Sequence, residues 1–326
     1  MTTTTQAVVI PEANCVELQD VTLRDPGPAD VTITTHYTSI SAGTERMLLA
    51  GQMPHPMLQL PVVPGYETVG EITAVGPKAD PALLGQMVYV GGAHCYEGVN
   101  PAWGGGSSQL ITGGDRVVLL GDVPAKHGVL LALAATALHG VDVLDPKPDD
   151  RVLVLGQGPV GQLASRILTR RAGYVASADR AASRLAVATG DLIVNVDETP
   201  LTEAVTEPVN AIIEASGSMA ALAAALPLLA KGGTIILLGY YSQLELPYMP
   251  LFLKEAKLLT AREWATGDLN RCRDMIAAGD LEVGSLLTHE LPIQQVAEGY
   301  DLALNQINCL KLVFTWMDET EGETSS

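Results

Sequence analysis

Apolar and polar positions alternate in short runs through the first 120 residues. "AVVI", "DVTITTHYTSI", "TVGEITAVG", "QMVYVGG" and "SSQLITGG" are rich in β-branched residues and are separated by Gly and Pro, the pattern of strands joined by turns. Helical periodicity is scarce there, so a mostly β, barrel-like unit is expected. From about 121 the period changes. "HGVLLALAATALHGVDVL" predicts a buried helix. "DRVLVLGQGPVGQLASRILTRRAG" predicts a strand, a Gly-rich turn and an amphipathic helix. "YVASAD" and "RAASRLAVATG" predict a second strand and helix, and "LIVNV" and "VNAIIEASG" further strands. "MAALAAALPLLAKGG" predicts a helix and "TIILLGYYS" a strand. Strands alternating with helices imply a doubly wound parallel sheet of Rossmann type. Near 270 the helix "LNRCRDMIAAG" opens a last segment with strand-like "THELPI" and "CLKLVFTW", where the chain returns to the first domain. The expected fold is therefore two-domain α/β. A β-rich catalytic domain spans 1–120 and 270–326, a Rossmann domain spans 121–269, and the site is expected in the cleft between them.

Composition narrows the partners. Of the 326 residues 47 % are apolar and only 4 % aromatic, which favours a globular α/β core. The formal charge of −18 repels phosphate backbones, which argues against a nucleic-acid partner. Part of that charge lies in "MDETEGETSS", which reads as a solvated, disordered tail at 318–326. Cys15, Cys95, Cys272 and Cys309 form no CxxC pair, which argues against a zinc ribbon or disulfide scaffold and fits a reducing cytoplasm. "MTTTTQAVVI" lacks the basic and apolar regions of a signal peptide. The longest apolar run, 129–138, is too short for a bilayer span.

The clearest chemical motif is Gly156-Gln157-Gly158-Pro159-Val160-Gly161. It follows the apolar strand "RVLVL" and opens the helix "VGQLASRIL". Gly156 allows the tight turn, Gly158 lets a pyrophosphate approach the backbone, and Gly161 lets helix and strand pack closely. Free N–H groups at the helix start then face the phosphates, and Pro159 gives up an N–H that has no helical partner. Asp179, at the end of the second strand, can accept both adenosine ribose hydroxyls and would repel a 2′-phosphate, so NAD is favoured over NADP. Arg180 beside it is a cation that could hold that phosphate.

The order of parts resembles the medium-chain dehydrogenase/reductase superfamily along nearly the whole chain: a β-rich, GroES-like first part, "VPGYETVGEITAVG", "LAATALHG", the Gly motif, "AIIEASG" and "KGGTIILLG". "SISAGTERMLLAGQMP" followed by "LPVVPGYETVG" is similar to one branch, the 3-hydroxyethyl bacteriochlorophyllide a dehydrogenases of bacteriochlorophyll synthesis and photosynthesis. Zinc-binding members place a Cys in a G-x-C-G-S/T-D stretch. Here that stretch is Ser39-Ile40-Ser41-Ala42-Gly43-Thr44-Glu45, and Ser41 stands where the thiolate would. The next ligand, the His of Gly-His-Glu, is Tyr66. The segment "LALAATALHG" offers no Cys or Asp, and the stretch of the four-Cys structural zinc lobe holds only Cys95. Neutral Ser and Tyr are poor zinc ligands, so a metal-free enzyme is expected.

The resemblance implies NAD-dependent oxidation of the 3-(1-hydroxyethyl) group of a chlorin or bacteriochlorin to acetyl. Superfamily members often dimerise through the Rossmann sheet edge, here "TIILLGYYS" onward, so a homodimer is a further expectation. Without zinc, a side chain must orient the alcohol or take its proton. Tyr66 is the first candidate because it inherits the ligand position. Its alternative role is to fill the space of a lost metal shell. Glu67 is a candidate base or a partner of neighbouring backbone or Arg groups. Thr44 and Ser41 can hydrogen-bond a substrate oxygen or cap a turn, and Glu45-Arg46 reads as a surface or domain-bridging pair. His94, on a loop, is a candidate proton relay. His36, His55, His127 and His289 join no constellation. Two other readings stay open: a zinc-free quinone or enoyl reductase, disfavoured by Asp179, and a non-catalytic NAD-binding scaffold.

Overall fold

A computed structural model describes residues 3–53 and 58–317. The tail expected at 318–326, and His55, lie outside the described residues. The chain divides into two compact units, Met1–Ala132 with Leu287–Ser326, and Leu133–Leu286. These limits lie beyond the 120/121 and 269/270 boundaries read from the pattern. One reason is that the 3₁₀ turn Ala125–Leu130 belongs to the β-rich unit, where Gly128 is packed against Leu120 and Val69. The other is that helix Asp268–Ala277 and the loop after it are tied into the parallel-sheet unit, by Arg271 to Asp142 at 2.6 Å and by Arg166 to Glu282.

In the β-rich unit the main sheet runs in the order Val117–Leu119, Met87–Val90, Thr68–Val75, Asp30–Ser39, Lys311–Thr315, Leu287–Pro292, with Gln109–Gly113 also paired to Asp30–Ser39. A second sheet pairs Thr3–Val9 with Glu17–Leu23 antiparallel. Alternate residues of these strands, among them Val31, Ile33, Ile72, Val88, Val90 and Leu110, make one core. Two helices missing from the pattern reading occur here. Ala42–Leu49 follows the strand Asp30–Ser39 directly. Val296–Asn305 buries Val296, Gly299, Tyr300, Ala303 and Leu304, a helical stripe that packs with Ile40, Leu312 and Phe314.

The second unit is a six-stranded parallel sheet in the order Leu192–Asn195, Tyr174–Asp179, Arg151–Leu155, Val209–Glu214, Leu229–Leu237, Lys257–Thr260. Counted along the chain this is the order 3-2-1-4-5-6 of a doubly wound nucleotide-binding sheet. The predicted helix over "RAASRLAVATG" shrinks to Ala182–Leu185. That over "MAALAAALPLLAKGG" ends at Ala225, where a 3₁₀ turn containing Pro227 leads into the strand; proline supplies no N–H to continue an α-helical ladder. Helix Tyr248–Lys254 lies in a stretch where the apolar pattern predicts no element.

The apolar run 129–138 sits inside a longer helical stretch, Ala125–Leu144, which by length and composition alone could cross a membrane. The apolar run alone therefore understates the helical stretch. Within the protein 67 % of that stretch's most apolar window is buried, the situation of a core helix.

Candidate active site

The parallel-sheet unit builds its candidate site from backbone. Gly156 ends the strand Arg151–Leu155 at φ +87°, and a side chain there would meet Ser216 at 2.6 Å. Its N–H donates to the Ala178 carbonyl at 2.8 Å, which fixes the turn to the neighbouring strand. At Gly161 a Cβ would lie 1.8 Å from the Gly156 carbonyl oxygen, so the close helix–strand approach expected of this glycine is present. Gly158 differs. A Cβ added there meets nothing within 4 Å, so the space beside it is open to a ligand. It directly precedes helix Pro159–Leu168, whose first turn contains Pro159, Val160 and Gly161.

Asp179 is brought to this turn. One carboxylate oxygen accepts the Gln157 N–H at 2.6 Å and the other the Ala181 N–H at 2.8 Å. Each oxygen retains acceptor capacity beyond these bonds. Arg180 is exposed, and the cation beside the carboxylate is instead Arg184, with Nη1 3.8 Å from Asp179. The sequence reading missed Arg184, although its place on the short helix after the strand is the available signal. An open cradle at a glycine, free helix N–H groups and an adjacent carboxylate together fit a dinucleotide.

The β-rich unit builds its candidate site from hydroxyls. Tyr66 follows Gly65, at φ +97°, on the turn before the strand Thr68–Val75. Its hydroxyl is hydrogen-bonded to Ser41 Oγ and lies 3.3 Å from Thr44 Oγ1. The ring leans on Trp103, with centroids 5.3 Å apart and planes at 58°, and the Tyr66 carbonyl accepts the Tyr89 hydroxyl at 2.7 Å. Trp103 is held at φ +69°, a left-handed conformation that is uncommon outside glycine. Burial first, and then the nearby Glu67 charge, push the Tyr66 phenol well above its ordinary pKa, so it stays protonated. Ser41 occupies the N-cap position of helix Ala42–Leu49 but makes no side-chain cap bond. Its Oγ bonds Tyr66 instead, and the Glu45 carboxylate reaches back to the Ser41 N–H at 3.0 Å, a variant of the capping box.

Glu67 makes no hydrogen bond to the Tyr66 hydroxyl among the described residues. It accepts from Ser39 Oγ and pairs with the ammonium of Lys311, both side chains being out of contact with solvent. Lys311 also donates to the Ile40 carbonyl at 2.9 Å. Both contacts fall on Oε2, which fixes the carboxylate, while Oε1 is buried without a hydrogen-bond partner and keeps its acceptor capacity. Nothing in the motifs named Lys311, yet a lone lysine inside the apolar strand "CLKLVFTW" is itself a signal, since a buried ammonium requires a partner. Glu45, read from sequence as a surface or bridging residue, is buried and accepts the Tyr300 hydroxyl, while Arg46 reaches the Leu304 carbonyl. His94 is exposed, and its imidazole makes no hydrogen bond or ion pair among the described residues. Cys95 beside it is buried, and burial pushes its thiol up, away from a reactive thiolate.

Zinc does not fit this donor set. Ser41 and Tyr66 are neutral hydroxyls bonded to one another, and among the described residues no group of three His, Cys, Asp or Glu side chains is positioned to hold a metal.

A 3-2-1-4-5-6 parallel sheet with a glycine turn at its first strand is the architecture of a dinucleotide-binding unit, and it lies in one chain with a β-rich unit carrying the partly buried Tyr66–Ser41–Thr44 hydroxyl cluster. Residues 27–120 match the alcohol dehydrogenase GroES-like domain. The 2-desacetyl-2-hydroxyethyl bacteriochlorophyllide A dehydrogenase of Rhodobacter capsulatus is 33 % identical over 318 residues, covering 96 % of this chain and 99 % of that protein. The chain belongs to the medium-chain dehydrogenase/reductase superfamily. Two solved structures share the fold. A short chain alcohol dehydrogenase from Escherichia coli CFT073 complexed with NADH is 24 % identical with a TM-score of 0.84, covering 96 % of this chain and 99 % of its own. A zinc-binding dehydrogenase from Sinorhizobium meliloti 1021 bound to NADP is 20 % identical with a TM-score of 0.82, covering 96 % of this chain and 100 % of its own.

Proposed function

We propose that the protein oxidises the 3-(1-hydroxyethyl) group of a chlorophyllide or bacteriochlorophyllide intermediate to 3-acetyl, using NAD and no catalytic zinc. The observation that carries this reading is the Tyr66 hydroxyl, standing at the metal-ligand position and held by Ser41 and Thr44. The similarity to the Rhodobacter protein supports the substrate. NAD, held by the glycine turn and Asp179, would supply the hydride acceptor for the carbinol carbon. Gly156, Gly158 and Gly161 shape the pyrophosphate turn, the first helical N–H groups face the phosphates, and Asp179 accepts from the adenosine ribose.

Because the Tyr66 phenol stays protonated, its role is to donate a hydrogen bond to the substrate oxygen, with Thr44 and Ser41 fixing its direction. As the C–H electron pair leaves and the C=O bond forms, the hydroxyl proton passes to water rather than to Tyr66. The macrocycle attached to the carbinol carbon can delocalise the developing positive charge, which lowers the need for a Lewis acid. NAD over NADP rests on the Asp179 carboxylate, tempered by Arg184 at 3.8 Å.

The free cysteines support a reducing, cytoplasmic setting. A homodimer is supported by the exposed Tyr248, Met249, Phe252 and Leu253 of one helix, followed by the sheet-edge strand Lys257–Thr260 with exposed Leu259.

The test is a hydride-transfer assay with purified protein, NAD or NADP, and the 3-hydroxyethyl pigment, read by NADH absorbance and the pigment spectrum. Acetyl product formed with NAD, undiminished by chelators and without stoichiometric zinc, is expected. Activity lost together with one equivalent of zinc would overturn the metal-free reading, and absence of acetyl product would overturn the substrate.

A further inference from the structure

Glu45 is a buried carboxyl that the proposed chemistry does not use. It lies on the helix that begins at the reacting cluster, and both its oxygens are engaged. Oε1 accepts the Ser41 N–H at 3.0 Å, and Oε2 accepts the Tyr300 hydroxyl from helix Val296–Asn305. Ser41 is thus held through its backbone by Glu45 while its Oγ bonds the Tyr66 hydroxyl. Tyr300 is itself fixed in the packed cluster of Ile40, Leu312 and Phe314.

We infer that Glu45 is a positioning residue: its carboxylate, clamped between the Ser41 N–H and the Tyr300 hydroxyl, sets the direction of the Ser41–Tyr66 hydroxyl pair according to its own charge state. This rests on the reading of Tyr66 as the residue that orients the substrate oxygen.

The charge state changes near neutral pH. Burial pushes the Glu45 carboxyl up to about 7, opposed by the Tyr300 and Ser41 hydrogen bonds. The other charges facing it are Glu67, which raises it further, and Lys311, which lowers it. The Tyr66 phenol feels the Glu45 charge in turn. Above this pH the ionised carboxylate accepts both bonds in their stronger, charge-assisted form. Below it the carboxylic acid becomes a donor at one oxygen, so the Tyr300 hydroxyl must turn and the hold on Ser41 weakens. Turnover therefore rises as the pH increases through neutrality.

The experiment uses the full chain labelled with ¹³C at tyrosine Cζ, with the Tyr66 signal assigned by its loss in Tyr66→Phe. In the wild type this signal should step near pH 7. In Glu45→Gln the step should vanish. In Tyr300→Phe, which keeps the ring and removes one stabilising donor, the step should move to higher pH. The pH profile of kcat should follow the same order: an inflection in the wild type, none in Glu45→Gln, and an upward shift in Tyr300→Phe, with NAD affinity unchanged throughout. A Tyr66 signal that steps identically in all three proteins would overturn the inference. So would a step that leaves the kcat profile of a pigment-active enzyme untouched. Absence of pigment turnover in the wild type defeats the proposed function alone, because the labelled-tyrosine titration still decides the coupling.

Discussion

In the parallel-sheet unit the candidate site is backbone: a turn at Gly156, an open place beside Gly158, a close contact at Gly161, and N–H groups at a helix start. In the β-rich unit it is side chain: Tyr66, Ser41 and Thr44 joined by their hydroxyls, with Glu45, Glu67 and Lys311 packed behind them. A backbone site needs a few residues in one short stretch, and glycine spacing records it directly. A side-chain site gathers residues from positions 41, 66, 300 and 311, and no local pattern records that meeting. The first therefore breaks by adding atoms to a glycine, the second by removing a single polar atom.

The largest effects should separate two glycines of one motif. Gly158→Val places its side chain in open space at φ −68°, so the fold should survive while NAD binding weakens by about 100-fold or more, read by NADH fluorescence titration. Gly161→Ala puts a Cβ 1.8 Å from a backbone oxygen that cannot yield. It should cost roughly 3 kcal/mol of stability or more in urea unfolding. Equal stability of the two variants would erase the division of labour assigned to these glycines.

Glu45 offers a pH test of the side-chain cluster. Its carboxyl titrates near 7 when folded against an ordinary 4.5, so the native state holds an extra proton between those values. Stability from this group is present below about 4.5 and is lost as pH rises toward 7, by up to about 3 kcal/mol. Glu45→Gln should lack this decline, which denaturant midpoints at pH 5 and pH 8 would reveal. A parallel decline in both proteins would assign the proton elsewhere.

Tyr66→Phe removes one hydroxyl and leaves the ring against Trp103. Turnover should fall roughly 100-fold, the scale of losing one positioned hydrogen-bond donor to the reacting oxygen. NAD affinity, set in the other unit, should hold. Full turnover in the Phe variant would reduce Tyr66 to a space-filler.

The smallest effect concerns cofactor choice. Asp179→Ser removes the carboxylate and leaves Arg184 uncompensated. The NAD over NADP preference in kcat/KM should narrow by about 10-fold, the worth of one charge interaction of about 1.4 kcal/mol. The variant also loses the acceptor of the Gln157 and Ala181 N–H groups, so its thermal midpoint should drop. An unchanged cofactor ratio would detach Asp179 from the ribose.

The sequence alone determined the doubly wound sheet, because period, glycine spacing and turn residues act over a few neighbours and each local choice agrees with the fold. It also identified Tyr66 and the glycine turn as sites worth watching. It misread Glu45 as a surface or bridging residue and left Lys311 unnamed. Whether a carboxylate is solvated, paired or clamped depends on what packs against it from hundreds of residues away. Only tertiary structure decided that Glu67 meets Lys311, that Tyr300 reaches Glu45, and that Arg184 rather than Arg180 stands beside Asp179. The physical reason is range. Backbone conformation is set by near neighbours, whereas the energy of a buried charge is set by every group brought within a few ångströms of it when the chain folds.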